Sequence, residues 1–307
     1  METIINDLTT KLKKLNSKRL GLLFLNIILI LLFAVLYFKI AFYLSDHYNL
    51  NSRIIRYAGL PIIYFFYTFL KRKKSVFNQL YNEFIIEDVI RGFYPSWSYN
   101  KEATIDQDTI YQTYLVKKGS SIDITNNIIG DVGNTNFSFV ELKVVKNQYL
   151  GARLPKKLFH GYFFVFDNNK VTESKLFVRP NMLKDFGSLD FGEKKIKTDS
   201  SEFDQRFATF SDDPVEARYI LTPALMARVL DFESKYKNKI SLLFYKDKLY
   251  IAFKEYKNLL EPSLHKRITV DTINRQMDIF KLLGLIVEEL NIDNNIWMKE
   301  NKMQGGL

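Results

Sequence analysis

Cysteine is absent from all 307 residues, and histidine occurs only three times. The first absence excludes disulfides, thiolate nucleophiles and Cys-ligated zinc, and it suits a reducing compartment. His47, His160 and His265 show no metal spacing such as HExxH on a helix. None has a nucleophile, a base or a second ligand nearby in sequence, so all three read as surface or turn residues. No metal and no cofactor is therefore expected.

Phosphate-loop grammar is missing as well. Gly130 and Gly133 bracket a glycine-spaced turn before a strand, whereas a phosphate cradle opens a helix after a strand and commonly ends in GKS or GKT. No internal repeat and no low-complexity linker interrupts the chain.

Basic excess is scarce where nucleic-acid binding would need it. The chain carries +10, but residues 1–74 hold twelve Lys and Arg against three Asp and Glu, and the remainder hold thirty-two against thirty-one. The aromatic residues, 15% of the chain, lack the basic groove that base stacking requires, and no nucleic-acid partner is expected.

What is present is apolar length near the N-terminus. From Leu20 to Phe38 there is no charged residue, and a run of about 18 or more can cross a hydrocarbon core of about 30 Å. Residues 20–44 are predicted as a first membrane-spanning helix, with Lys39 snorkelling near its far end. The run is too long for the apolar region of a cleaved signal peptide, and no small-residue cleavage site follows it. Residues 54–70 are predicted as a second span, shorter, and containing Arg56, Gly59 and Pro61.

Charge sets the orientation. Lys11, Lys13, Lys14, Lys18 and Arg19 precede the first span and Lys71, Arg72, Lys73 and Lys74 follow the second, while Arg53 is the only Lys or Arg in the loop 45–53. The positive-inside bias places both termini in the cytoplasm, and the basic collar beside anionic headgroups.

Residues 1–19 then form a basic cytosolic N-terminus and 71–93 a basic collar with a juxtamembrane helix. In that helix Val76, Leu80 and Ile90 with Phe77, Tyr81 and Phe84 make one broad apolar face. Its Lys/Arg-rich start and aromatic face could alternatively lie along the membrane surface.

Residues 94–307 are expected to be a cytosolic α+β domain, a mixed antiparallel sheet with helices, divisible into subdomains near 185–201. The segments FSFVELKVV, FHGYFFVF and KLFVR read as strands, with DNNK as a hairpin turn between the last two. ISLLFY and LYIAF read as two further strands joined by KDK, and a last helix is predicted from about Val270 to Leu290 through Ile273, Met277 and Phe280.

Asp213, Pro214 and Glu216 fit an N-cap, a first-turn proline and a capping-box carboxylate, and Thr222 with Pro223 repeats the start signal. Asp212, Asp213, Glu216 and Arg218 crowd that first start. They form the one cluster that could bind a cation, a ligand or a partner, or perform acid/base work, and helix capping is the competing use.

The segments DDPVEARYILTPALM at 212–226, GDVGNTNFSFVEL at 130–142 and FHGYFFVFDNNK at 159–170 resemble the DUF3137 family of bacterial membrane proteins. The closing NIDNNIW fits the same pattern, and the likeness runs from the hairpin to the C-terminus. The chain departs from the family at YQTYLV, 111–116, where an SxxLF-type segment is the rule. The resemblance implies an integral protein of the bacterial inner membrane with a cytosolic domain, and it carries no established active site.

Together these features favour a membrane-anchored interaction or sensory module, with another membrane protein, a second copy of itself, a lipid headgroup or a small ligand as partner. An enzyme using the 212–218 cluster is the first alternative. The second is a structural role in a membrane assembly, through Asn26, Tyr64 and Tyr67.

Overall fold

The computed structural model describes residues 2–48, 60–84, 94–100, 104–132, 135–147, 155–181, 194–236, 239–254, 262, 264–274 and 277–278. The chain divides into two compact units, Met1–Val89 with Leu260–Arg275, and Ile90–Leu259 with Gln276–Leu307. In that partition the segment Leu260–Arg275 joins the N-terminal helices.

In the first unit, α1 runs unbroken from Glu2 to Tyr48, about 70 Å at 1.5 Å per residue. The stretch Thr9–Tyr43 is long and apolar enough to cross a membrane, and its apolar window is not buried inside the protein. Among the described residues it is the one helix that meets this test. The loop 45–53 and the start of the second predicted span lie largely outside the described residues. The remainder of that span is the start of α2, Leu60–Glu83, which continues through the collar without a break.

Two contacts fix how α1 and α2 run. Phe33 meets Phe66 edge to face at 6.3 Å. At the other end Leu15 and Lys18 share a cleft with Leu80 and Phe84. Rising numbers on α1 meet falling numbers on α2, so the pair is antiparallel.

Leu12 and Leu15 of α1, Phe77, Tyr81 and Phe84 at the end of α2, and Ile268 and Ile273 supply this unit's buried apolar residues. Of the predicted juxtamembrane face, Phe77, Tyr81 and Phe84 are buried and Leu80 is half-buried, Val76 is 56% exposed and stands off it, and Ile90 lies outside the described residues. Residues 270–274 are helical where the last helix was predicted, and its continuation beyond 278 is outside the described residues.

The second unit is built on a seven-stranded antiparallel sheet: β1 (Ser98–Asn100), β2 (Ser121–Val132), β3 (Thr135–Lys146), β4 (Lys156–Pro180), β5 (Lys194–Ile196), β6 (Phe207–Ser211) and β7 (Lys239–Lys254). The order is β1-β2-β3-β4-β6-β5, with β7 paired to β4. Short helices α3 (Gln107–Gln112), α4 (Ser201–Arg206), α5 (Pro214–Ile220) and α6 (Pro223–Tyr236) fill the connections.

The predicted DNNK hairpin and the two strands joined by KDK are instead two long strands. β4 continues through the DNNK segment and β7 through KDK, and the pair stays antiparallel from Gly161↔Lys254 to Val178↔Leu242. The polar residues are absorbed by register shifts, and Lys246 takes φ 54° where it pairs with Thr172. The first part of β4 pairs with β3 and its last part with β6. β4 and β7 thus form the spine to which the other strands attach.

Alternation along that spine explains why so many aromatic residues are buried. Phe137 and Phe139 on β3, and Tyr162, Phe164 and Phe166 on β4, share one face, which Trp97 meets at Phe137 and Phe232 of α6 meets at Phe253. The opposite face, with Val140, Leu142, Val144 and Phe163, packs with Ile110, Leu115 and Val116.

Gly130 is a strand residue rather than part of a turn. It pairs with Phe137 and lies under the Trp97 indole, where an added Cβ would sit 2.4 Å from the ring. Gly133 lies outside the described residues.

Candidate functional site

Three groups of polar residues merit attention: the 212–218 cluster, a buried cluster on the sheet, and the basic collar.

The loop after β6 places the first. Asp213 caps α5, its side chain accepting from the amides of Val215 at 2.8 Å and Glu216 at 3.2 Å. Glu216 does not close a capping box; it turns to β4 and accepts from both the amide and the hydroxyl of Ser174. Asp212 accepts from the Lys175 amide at 2.9 Å. Asp212 and Glu216 thereby clamp α5 to β4, Asp213 holds the helix's own first turn, and Arg218 is exposed. Thr222 caps α6 through the Leu225 amide at 3.2 Å, as the repeated start signal predicts.

The second group was not anticipated from sequence. Glu141 of β3 is 4% exposed and accepts from the Asn126 side chain at 2.8 Å, with His160 Nε2 at 3.7 Å from its other oxygen. Asn126 reaches it because β2 bulges between Thr125 and Ile128 and Asn126 takes φ 55°. His160 is 9% exposed, and its Nδ1 is buried without a hydrogen-bond partner. It is a sheet-interior residue, which corrects the surface reading. The usable signal was its parity with Tyr162, Phe164 and Phe166. His47 and His265 are exposed, His47 stacking on Tyr43 at 4.4 Å beside Asp46.

The third group lies on α1 and α2. Lys13, Lys14, Lys18 and Lys71, Arg72, Lys73 and Lys74 are exposed, and Lys11 is half-buried. Arg19 departs from the collar: it is 7% exposed and donates to the Leu264 carbonyl at 2.8 Å. One turn earlier, Asn16 donates to the Ile268 carbonyl at 2.8 Å and accepts from its amide at 3.0 Å. These bonds hold the His265-Lys266-Arg267 turn, exposed at all three positions, beside the start of the apolar run.

The divergent 111–116 segment has a structural use. Thr113 ends α3, Tyr114 turns the chain at φ 54°, and Leu115 and Val116 enter the core. Arg179 donates to the Tyr114 carbonyl at 2.8 Å while lying over the Phe177 ring. Elsewhere in this unit, the Asp167 carboxylate bonded to Lys248 raises the lysine's pKa, and burial raises that of the Tyr250 phenol. Among the described residues no group of three or more His, Cys, Asp or Glu is placed to hold a metal ion.

No curated protein matches the sequence. Among solved structures, the mycobacterial trehalose monomycolate transport factor A, TtfA, aligns with a TM-score of 0.35 and 10% identity, covering 62% of this chain and 86% of that one. A likeness that distant carries no argument about function. The DUF3137 family model, described as a protein of unknown function, matches residues 157–292. The match spans β4 to β7 and is narrower than the motifs imply, since the 130–142 segment and the helices α1 and α2 fall outside it. The chain thus carries a DUF3137 domain over residues 157–292, built around the β4–β7 spine.

Proposed function

We propose that this protein is a membrane-anchored interaction or sensory module of the bacterial inner membrane, with α1 and α2 as a spanning hairpin, both termini in the cytoplasm, and the sheet unit as the part that meets a membrane protein or small ligand. The observation that carries the reading is the unburied apolar surface of α1, where Phe24, Ile30, Leu31, Phe38 and Phe42 are each more than 60% exposed. So large a contiguous apolar surface is unstable in water and stable in lipid. The collar at one end of the hairpin supports the orientation. A reporter fused after Leu307 should score cytoplasmic and one inserted near Asn49 external. A C-terminal reporter scoring external would overturn the hairpin.

A second reading, a structural role in a membrane assembly, is favoured by Tyr64 and Tyr67. They are 70% and 61% exposed and lie three residues apart on one face of α2, well inside the predicted span. A phenol hydroxyl in hydrocarbon gains by finding a partner, typically about 0.6–2 kcal/mol for bonds between helices. Crosslinking through Cys at position 64 in native membranes should trap a dimer, and purely monomeric product would rule this assembly out.

A further inference from the structure

The antiparallel pairing of α1 and α2 sets levels along the hairpin that the sequence does not reveal. Phe33 is level with Phe66, and Leu15 and Lys18 with Leu80 and Phe84. Interpolating one residue for one residue, Lys71–Lys74 stand beside about Leu25–Ile28 of α1, well past Leu20 where the apolar run begins.

Two placements of a core of about 30 Å then compete. If the hydrocarbon begins at Leu20 and ends at Phe38, four successive cations of α2 lie about 7–12 Å inside it. If it begins near Ile27 and ends near Asp46, those cations stand at its surface, and among the described residues Lys39 is the only Lys or Arg within it. Lys39 is exposed on α1 and its long stem can reach toward the far surface. Each Lys or Arg deep in the bilayer costs about 2.5–3.5 kcal/mol at the helix centre, so one cation within reach of a surface is preferred to four held inside.

Leu20 and Phe24, 45% and 62% exposed, are thereby left outside the hydrocarbon, Phe24 next to Lys74 at headgroup depth and Leu20 about a turn further out. Four exposed cations held at the boundary fit one occupant, an anionic phospholipid of the collar-side leaflet. Its phosphate meets the cations, whose long stems reach outward to the level of Phe24, while its acyl chains run the other way into the core. We propose that the hydrocarbon boundary crosses α1 at Asn26–Ile27, and that Lys71–Lys74, with Phe24 next to them, form a seat for anionic phospholipid at that boundary. The inference rests on the membrane-anchor reading and deepens it by naming the lipid and the residues that hold it.

The cysteine-free chain is suited to the test. Single Leu20→Cys, Phe24→Cys, Leu31→Cys and Val35→Cys variants of the full chain, spin-labelled in nanodiscs of phosphatidylcholine with about 30% phosphatidylglycerol, report depth through collisions with oxygen and a water-soluble nickel chelate. Positions 20 and 24 should show chelate access and positions 31 and 35 oxygen access alone. A label at 24 as deep as that at 31 overturns the boundary. Phosphatidylglycerol retained by the unmodified protein through detergent purification should exceed its bulk share, and should fall at least threefold when Lys71, Arg72, Lys73 and Lys74 are all changed to Gln. Retention of phosphatidylcholine and phosphatidylglycerol in their bulk ratio by the unmodified protein overturns the lipid seat. If the unmodified chain does not float with vesicles at all, the anchor reading itself fails, an outcome distinct from a misplaced boundary.

Discussion

Asn16 and Ile268, 252 positions apart in the chain, exchange two hydrogen bonds, the Asn16 side-chain amide donating to the Ile268 carbonyl at 2.8 Å and the Ile268 amide donating back at 3.0 Å. An asparagine side chain used this way imitates a strand partner, satisfying both backbone groups of a residue that is itself 3% exposed. Together with Arg19 on the Leu264 carbonyl, it attaches the 264–268 turn to the first part of α1.

Asn16→Leu removes both bonds and strands a buried amide and carbonyl. A loss of about 1–3 kcal/mol in the local stability of the 264–274 segment is expected, read as faster hydrogen exchange at Ile268. Exchange at Ile251 in β7 should be unaffected. Unchanged protection at Ile268 would show that Leu12, Leu15 and Ile273 hold the segment without the clip.

Gly130→Ala drives a methyl group into the Trp97 indole, within 2.4 Å of a ring atom. The ring is held by Tyr94 stacked on it at 4.1 Å, by Phe137 and by its own bond to the Asp131 carbonyl, so it has little room to give. Destabilisation of about 1–3 kcal/mol is expected, with a red shift in tryptophan emission as the indole leaves its site. Gly130→Ala combined with Trp97→Leu should lose less than the two single changes added together.

Glu141→Leu tests the buried polar cluster. It leaves the Asn126 side-chain amide without its acceptor and His160 without the carboxylate 3.7 Å away, at a cost of about 1–3 kcal/mol in urea unfolding. Replacing Glu141, Asn126 and His160 together by apolar residues should recover part of that loss, because no buried polar group is then left alone. A triple variant weaker than Glu141→Leu would mean the cluster has a use beyond packing.

Asp213→Ala and Asp212→Asn separate architecture from chemistry in the 212–218 cluster. The first removes an N-cap and should cost about 0.5–2 kcal/mol. Asp212→Asn retains an acceptor for the Lys175 amide and should leave thermal unfolding nearly unchanged. If Asp212→Asn and Arg218→Gln both fold normally yet abolish the cellular phenotype or partner binding, the cluster recognises a ligand.

Alkaline pH should weaken the sheet unit. The raised pKa of Lys248, owed first to its bond with Asp167, and that of Tyr250, owed first to burial, have the same sign. In each the folded state holds its proton more tightly, so the contribution is complete below the unfolded pKa and is lost as pH rises through the folded one. Both groups belong to the region above about pH 10. The exposed Lys248–Asp167 pair is worth no more than about 1 kcal/mol, so Lys248→Gln should flatten only part of the alkaline slope in a thermal-unfolding series.

Local grammar was most legible where the chain's own neighbours enforce it. Asp213 followed by Pro214 dictates a helix start because the cap's partners are two and three residues away, and Thr222 does the same for α6. Asp167, the two asparagines after it and Lys170 misled for the same reason: their composition favours a turn, yet β7 offers an unbroken partner on which the strand continues. Glu216 looked like a capping-box residue until Ser174, 42 positions earlier, supplied a better donor pair.

By itself the sequence determined the long apolar helix, its basic flanks, the near-neutral remainder and the α+β class, since each depends on composition and short-range period. Only the tertiary structure decided that His160 is interior, that Arg19 and Asn16 hold residues 264–268, and that Lys71–Lys74 stand level with Asn26. The physical reason is common to all three. Which groups become neighbours across a sheet or between two helices depends on pairing register, and register is fixed by packing between residues far apart in the chain.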